Sequence, residues 1–181
     1  VDFTMKDVDE LSKKVPCLCK VSPNGSYHIE DVNRAGGVLG ILNELAKANL
    51  LQTEVFRADG LRLKEALNNF DISNGNISAD ALNIYSSAPA QNGLNLTMGS
   101  HKTKFKALDT DRKDGCIRSN EFAYSKDGGL AVLYGNLAQD GSIVKTAGVD
   151  ASILTFEGSA KVFDSQDEAV NAILNNKIEY I

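Results

Sequence analysis

The amino-acid sequence predicts an α/β protein, with a helix-rich first half and a last third made mostly of strands. Two observations indicate this fold class. In the first half, apolar residues recur at helical spacing, and several of these stretches begin or end at capping residues. After residue 127, short apolar and β-branched runs are separated by turns that contain Gly and Asp, which is typical of strands joined by short connections.

The first predicted element is a helix over residues 5–14. It has an N-cap, an acidic residue three positions later, apolar residues at helical spacing and a proline that stops it. These residues are, in order, Thr4, Asp7, Val8, Leu11 and Pro16. The alternating residues 17–21 predict a strand, and the Ser-Pro-Asn-Gly sequence at 22–25 predicts a turn.

Four more elements are predicted before residue 86. Residues 29–32 begin a short helical turn that ends at Gly36-Gly37, and a longer helix follows to about Asn49. The apolar face of that longer helix is predicted to comprise Val38, Ile41, Leu42 and Leu45. The remaining predictions are a strand at 53–58, a helix at 61–69 with Leu63, Ala66 and Leu67 inward, and a helix at 78–85.

The second half divides into an aperiodic stretch and a strand-rich stretch. Residues 86–127 show no clear period, and so long a loop is unusual inside a compact domain, which favours a linker or an insertion. Strands are predicted at 130–134, 142–146 and 159–163. A closing helix is predicted with Ser165 as N-cap and Glu168 completing a capping box. Its apolar face is expected to comprise Ala169, Val170, Ile173 and Leu174.

Composition excludes several classes of function. The net charge is -5 and no basic stripe is visible, which argues against nucleic acid as a partner. No apolar run approaches the roughly 18 residues of a membrane span, and the start does not resemble a secretion signal. Three cysteines, an odd number, do not suggest a disulfide framework, so a cytoplasmic location is expected.

The cysteines and the acidic loop are the candidate metal sites in the sequence. Cys17 and Cys19 would point to one face of a strand, but the only further ligands available are Cys116, His28 and His101, at spacings typical of no zinc site. Packing of two small apolar side chains is therefore preferred. The sequence 109–115 (DTDRKDG) superficially resembles a calcium loop, with Glu121 downstream. Its register fails, however, which favours a solvated loop.

The glycine pairs and the histidines give no stronger signal. Gly36-Gly37 and Gly128-Gly129 each precede an apolar run, and tight turns explain them better than anion binding does. No Gly-x-Ser-x-Gly elbow supports a catalytic triad that would use His28 or His101. The residues considered by themselves therefore predict an α/β chain without an identifiable catalytic site.

Several longer stretches of the sequence resemble one family. They follow one another in the same order as in that family and cover most of the chain. They are 14–24 (KVPCLCKVSPN), 27–38 (YHIEDVNRAGGV), 128–138 (GGLAVLYGNLA), 141–150 (GSIVKTAGVD) and 156–165 (FEGSAKVFDS). They resemble the middle of dihydroxy-acid dehydratase, in the dihydroxy-acid/6-phosphogluconate dehydratase family. Residues 114–127 (DGCIRSNEFAYSKD) resemble the longer bacterial type, and the sugar-acid dehydratases less well.

The resemblance implies a hydro-lyase of valine, isoleucine and pantothenate synthesis. It would convert 2,3-dihydroxy-3-methylbutanoate, or the methylpentanoate homologue, to the 2-keto acid, using an iron–sulfur cluster and Mg²⁺. The family's cluster cysteines, metal-binding glutamate and catalytic serine match no position in this sequence. We therefore expect no catalytic, cofactor-binding or metal-binding residue here, no cofactor bound by these residues, and no activity of the chain alone.

The resemblance also implies a domain division. Residues 1–107 would end a large N-terminal α/β domain, 108–127 would be a linker or family-specific insertion, and 128–181 would begin a β-barrel-like swivelling C-terminal domain. The start without Met and the end on 178–181, which reads as the start of a strand, suggest an internal segment. We expect a homodimer, and we expect dimerisation, strand exchange or rearrangement to cover the unpaired strand edges. The alternatives are a sugar-acid dehydratase such as 6-phosphogluconate dehydratase, and a stand-alone binding module.

Overall fold

A computed structural model describes residues 2–75, 77–87 and 104–178. Two compact units are present, Val1–Gly148 and Val149–Ile181. The first contains helices α1 (Met5–Lys14), α2 (Ile29–Arg34), α3 (Gly37–Lys47), α4 (Leu63–Phe70) and α5 (Ala79–Tyr85), and an antiparallel hairpin of β1 (Leu130–Gly135) and β2 (Ala138–Lys145). The second contains α6 (Gln166–Leu174). This mixture of helices with a sheet confirms the α/β prediction.

Helix α1 begins and ends where its capping residues predict. The Asp7 carboxylate accepts a hydrogen bond from the Thr4 backbone N–H at 2.7 Å, and the Thr4 hydroxyl accepts one from Asp7 N at 3.4 Å. This reciprocal pair satisfies N–H groups that the first turn leaves without partners. The helix ends at its C-cap, Val15, directly before the buried Pro16.

The hairpin is attached to α1 by side-chain bonds to its first strand. The Ser12 hydroxyl donates to Leu130 O at 2.7 Å and accepts from Leu130 N at 3.1 Å. One turn earlier in the helix, the Asp9 carboxylate accepts from Val132 N at 3.2 Å. These bonds occupy backbone groups on the edge of β1 that β2 does not pair.

The main core of the first unit joins two parts of the chain that are far apart in sequence. Its buried members are Val32, Ala35, Cys116 and Ile117. Residues 17–21 lie extended against residues 117–125, with single bridges from Cys17 to Ser125 and from Cys19 to Ile117. Part of the predicted linker or insertion, 108–127, therefore packs in this core, where Cys116 and Ile117 are fully buried.

The predicted apolar face of α3 is partly wrong. Val38 is 69% exposed, whereas Gly40 and Glu44 are buried. Gly40 allows the helix to approach Ile117 closely, since a Cβ at this position would lie 3.2 Å from Ile117 Cδ1. Glu44 is tolerated inside because Arg112 and Lys47 pair with its carboxylate.

Three of the predicted strands are wrong, while the local signals for helices hold. Residues 17–21 form only isolated bridges and no strand. Residues 53–58 form only a bridge from Phe56 to Arg62, and residues 159–163 form no strand. Helices α4 and α5 confirm the predictions at 61–69 and 78–85, with Ala66 and Leu67 buried. Ser165 caps α6 by accepting from Glu168 N at 3.2 Å.

The end of the chain is less buried than its pattern predicts. The predicted apolar face of α6 lies mostly in solvent, with Val170 43%, Ile173 59% and Leu174 76% exposed. Of the strand start predicted at 178–181, residues 179–181 lie outside the described residues. Among the helices of the described ranges, none has the length and apolar character needed to cross a membrane.

Candidate functional site

Two cysteines that are far apart in sequence meet inside the first unit. Cys19 Sγ lies 3.9 Å from Cys116 Sγ, and the two residues are separated by 97 positions in the chain. Cys116 is completely buried, and Cys19 is half-buried at the edge of the same core. We call Cys19 and Cys116 the thiol pair.

Backbone pairing positions the thiol pair. Cys19 forms a bridge with Ile117, the residue directly after Cys116, and Arg118 N donates to Leu18 O at 2.8 Å. A second contact further along holds the same two segments together, because Cys17 N donates to Ser125 O at 3.0 Å. The two sulfurs therefore meet because two extended segments run antiparallel beside one another.

The loop before Cys116 is held by a carboxylate. Asp109 Oδ2 accepts from Cys116 N at 3.0 Å, and Asp109 Oδ1 accepts from Asp111 N at 3.1 Å. The Tyr124 hydroxyl donates to Gly115 O at 3.2 Å, while the Arg118 guanidinium lies 3.9 Å from the centre of the Tyr124 ring. These contacts fix the backbone that presents Cys116 to Cys19.

The two thiols differ in acidity. The hydrogen bond from Cys116 lowers the pKa of Cys19, with burial opposing this effect. The same hydrogen bond and burial raise the pKa of Cys116 well above its ordinary value. Cys19 is therefore the more acidic thiol of the pair.

Cys17 does not join the thiol pair. Its Sγ donates to the Cys19 carbonyl oxygen at 3.5 Å. Within the described ranges, no group of three or more His, Cys, Asp and Glu side chains is placed to hold a metal ion. The sequence placed Cys17 and Cys19 together on a strand but gave no indication of the Cys19–Cys116 contact, because nothing local marks a contact across 97 positions.

The acidic loop uses its carboxylates internally. Asp111 Oδ1 accepts from Lys113 N at 2.8 Å and from Asp114 N at 3.0 Å, which keeps the pKa of Asp111 below its ordinary value. Asp109 is occupied by the backbone of Asp111 and Cys116. These contacts form turns of the kind that Asp side chains stabilise. The loop is thus a support for Cys116.

The remaining candidates from the sequence lie elsewhere. Gly36 and Gly37 have φ angles of 106° and 62° at the start of α3, which confirms the interpretation as a tight turn. His28 is the exposed N-cap of α2, where its backbone N–H donates to Asp31 at 2.8 Å. His101 lies outside the described residues. The structure brings neither His28 nor a glycine pair to the thiol pair.

One open surface cleft lies near the end of α1. It has a volume of about 350 Å³. Its lining residues are Lys14, Pro16, Asn120, Glu121, Ala123 and Lys126. Charges of both signs line it, and this pattern does not define a ligand.

Comparison with protein families gives two matches. Residues 1–66 match the model described as dihydroxy-acid/6-phosphogluconate dehydratase N-terminal, and residues 115–180 match the model described as dihydroxy-acid/6-phosphogluconate dehydratase C-terminal. Cys19 falls in the first match and Cys116 in the second, so the thiol pair joins the two matched regions. Both halves of one family are matched in order over most of the chain. The chain belongs to the dihydroxy-acid/6-phosphogluconate dehydratase family, a family of hydro-lyases.

Proposed function

We propose that this chain is part of a dihydroxy-acid dehydratase of branched-chain amino-acid and pantothenate synthesis. The main support is the match to both the N-terminal and the C-terminal model of the family, which indicates a dehydratase. Residues 114–127 support the finer assignment, because they resemble the dihydroxy-acid enzymes more than the sugar-acid enzymes. The proposed reaction removes water from 2,3-dihydroxy-3-methylbutanoate or its methylpentanoate homologue and yields the 2-keto acid.

The reaction sets the chemical requirements of a complete site. A base must take the proton from the carbon beside the carboxylate, and a Lewis acid must assist departure of the neighbouring hydroxyl. In this family an iron–sulfur cluster and Mg²⁺ supply the Lewis acid when they are bound.

The described residues do not fit an iron–sulfur cluster. A cluster requires several deprotonated thiolates around it. Here Cys17 donates to a backbone carbonyl, and the pKa of Cys116 is raised by its hydrogen bond to Cys19 and by burial. In the loop before Cys116, the carboxylates of Asp109 and Asp111 are occupied by backbone N–H groups. We therefore propose that these residues serve as scaffold and that the chain by itself does not dehydrate the substrate.

A turnover assay tests the proposal at two levels. The 181-residue chain, prepared anaerobically with iron, sulfide and Mg²⁺, is incubated with each dihydroxy acid, and keto acid is measured as its hydrazone. No keto acid and no visible absorption are expected. Keto acid formation by this chain would overturn the scaffold role. The product of the complete reading frame around the chain is expected to form keto acid under the same conditions.

The same assay separates the two alternatives. Turnover of 6-phosphogluconate in preference to the dihydroxy acids would assign the protein to the sugar-acid dehydratases. A reading frame that begins at Val1 and ends at Ile181, with no turnover of either substrate, would identify a stand-alone binding module instead.

We also propose that the chain associates as a homodimer, in the cytoplasm. Within the described residues the sheet has two strands, and the hairpin exposes Leu133 (55%), Tyr134 (59%) and Leu137 (98%). A two-stranded sheet that exposes apolar side chains favours association. Sedimentation velocity over a range of protein concentrations is expected to show a dimer, and a monomer at every concentration would refute it.

A further inference from the structure

We infer that Cys19 and Cys116 form a reversible intrachain disulfide, which makes the thiol pair an oxidisable link between the two family-matched regions. This inference concerns the first unit alone and does not depend on the proposed substrate. It rests on sulfur geometry, on the backbone pairing of the two segments and on the different exposure of the two cysteines.

The geometry requires only a small movement. The sulfurs are 3.9 Å apart, and a disulfide bond is about 2.05 Å long. The backbones are already adjacent, because Cys19 pairs with Ile117 and Leu18 O accepts from Arg118 N. Rotation of the side chains and a slight approach of two paired segments are therefore sufficient.

The two cysteines are suited to different steps. Cys19 is half-buried, so a small oxidant reaches it first, whereas Cys116 is completely buried. Cys19 also has the lowered pKa, and the thiolate is the attacking form. The Cys116 sulfur lies beside the Cys19 sulfur and is placed to attack it in the second step.

A small-molecule disulfide such as oxidised glutathione is the oxidant, and the protein disulfide forms by thiol–disulfide exchange with it. The Cys19 thiolate attacks one sulfur of the small disulfide, forms a mixed disulfide and releases one small thiolate, which takes up a proton. Cys116 then loses its proton and attacks Cys19 Sγ, which releases the second small thiol. The protein loses two protons and two electrons, and the small disulfide takes them up to become two thiols.

Cys17 provides the matched control. It lies two residues from Cys19 on the same extended segment and is also half-buried, but its Sγ contacts a carbonyl oxygen and not a sulfur. A pairing driven only by proximity in sequence would join Cys17 to Cys19. The structure instead pairs Cys19 with a residue 97 positions away.

The test equilibrates the full chain and its Cys17→Ser variant with mixtures of reduced and oxidised glutathione. Remaining thiols are then alkylated, and the protein is digested with trypsin without reduction. In both proteins we expect the peptide of residues 15–20 to be joined to the peptide of residues 114–118. The wild type should keep one free thiol per chain, and Cys17→Ser should keep none.

Two results would overturn the inference. One is a Cys17–Cys19 disulfide within the 15–20 peptide of the wild type. The other is a Cys17→Ser variant that keeps both thiols free at an oxidising ratio that drives glutathione onto exposed cysteines. The Cys19→Ser variant should lose the cross-link, and circular dichroism of each reduced variant shows whether the fold is retained. The Cys17→Ser variant keeps both Cys19 and Cys116. Its result is therefore decisive even if replacement of Cys116 prevents folding.

Discussion

A single guanidinium, that of Arg112, connects three parts of the first unit. Its Nη2 donates to Ala35 O at 3.0 Å, at the end of α2, and its Nε lies 3.3 Å from a Glu44 carboxylate oxygen in α3. Nη1 contacts the Ile117 carbonyl oxygen at 3.4 Å, beside the thiol pair. Glu44 is only 4% exposed, so its charge depends on this partner and on Lys47.

Replacing Arg112 by Ala is expected to lower the free energy of unfolding by about 2–3 kcal/mol, because it leaves the Glu44 charge buried with Lys47 as its remaining partner. Urea denaturation measures the change. The matched control is Arg57→Ala, which removes a partly exposed pair with Asp59 and should cost less than about 1 kcal/mol. Equal losses in the two variants would contradict the role of Arg112, and Glu44→Gln added to Arg112→Ala should recover part of the loss.

Gly115 is required by close packing and not by its backbone angles. A Cβ at this position would lie 2.7 Å from Asp109 Oδ1 and would also collide with the Asp111 carbonyl oxygen. Gly115→Ala should therefore destabilise the protein by about 1–3 kcal/mol in urea denaturation. Gly135→Ala is the control, since nothing lies within 4 Å of its Cβ position. A loss no larger than that of Gly135→Ala would show that the loop adjusts freely.

At the scale of elements, α1 and the hairpin depend on one buried hydroxyl. Ser12 is 7% exposed and bonds both backbone groups of Leu130. Ser12→Ala leaves that N–H and that carbonyl without their partner, which should cost about 1–3 kcal/mol in thermal or urea unfolding. The exposed Ser142 of β2 provides a control, because its replacement by Ala should change stability by less than about 0.5 kcal/mol. Similar losses for both would mean that water replaces the Ser12 bonds.

The contact of α1 with β1 should also depend on pH. Hydrogen bonds from Lys13 and from Val132 N lower the pKa of Asp9 below its ordinary 3.8. A lowered folded-state pKa contributes stability that is present above the ordinary value and is lost as pH falls through the folded value. Asp9→Asn should therefore be less stable than the wild type at neutral pH, and the difference should shrink as the pH falls below 3.8 and through the lower folded-state pKa of Asp9. Urea denaturation across this range measures it, and a difference independent of pH would contradict the assignment.

The sequence could predict the elements whose signals lie within a few neighbouring residues, and it could not predict those that depend on distant partners. Caps act over three or four residues, so Thr4 and Ser165 located the starts of α1 and α6 correctly. A strand needs a partner that sequence alone does not supply, and residues 159–163 have strand composition but lack that partner. The buried Glu44 was missed for the same reason, because its partner Arg112 lies 68 positions later in the sequence.

At the scale of the whole molecule, the family matches and the compact units do not coincide. The C-terminal match begins at residue 115, but residues up to Gly148 pack within the first unit. The thiol pair and the Ser12–Leu130 bonds both cross from the N-terminal match to the C-terminal match. Family resemblance could identify the class of enzyme, but side-chain contacts across 97 and 118 positions determine how these regions are joined.

The second unit, Val149–Ile181, is expected to be the least stable part of the protein. Among its described residues none is buried, and an isolated helix as short as the nine residues of α6 is marginal in water. Hydrogen exchange should therefore give the α6 amides protection at least ~100-fold lower than that of the α3 amides, which belong to the packed first unit. Protection equal to that of α3 would contradict this and would mean that another surface covers Ile173 and Leu174. If that surface belongs to a second copy, the protection falls on dilution, whereas cover within one chain is independent of concentration.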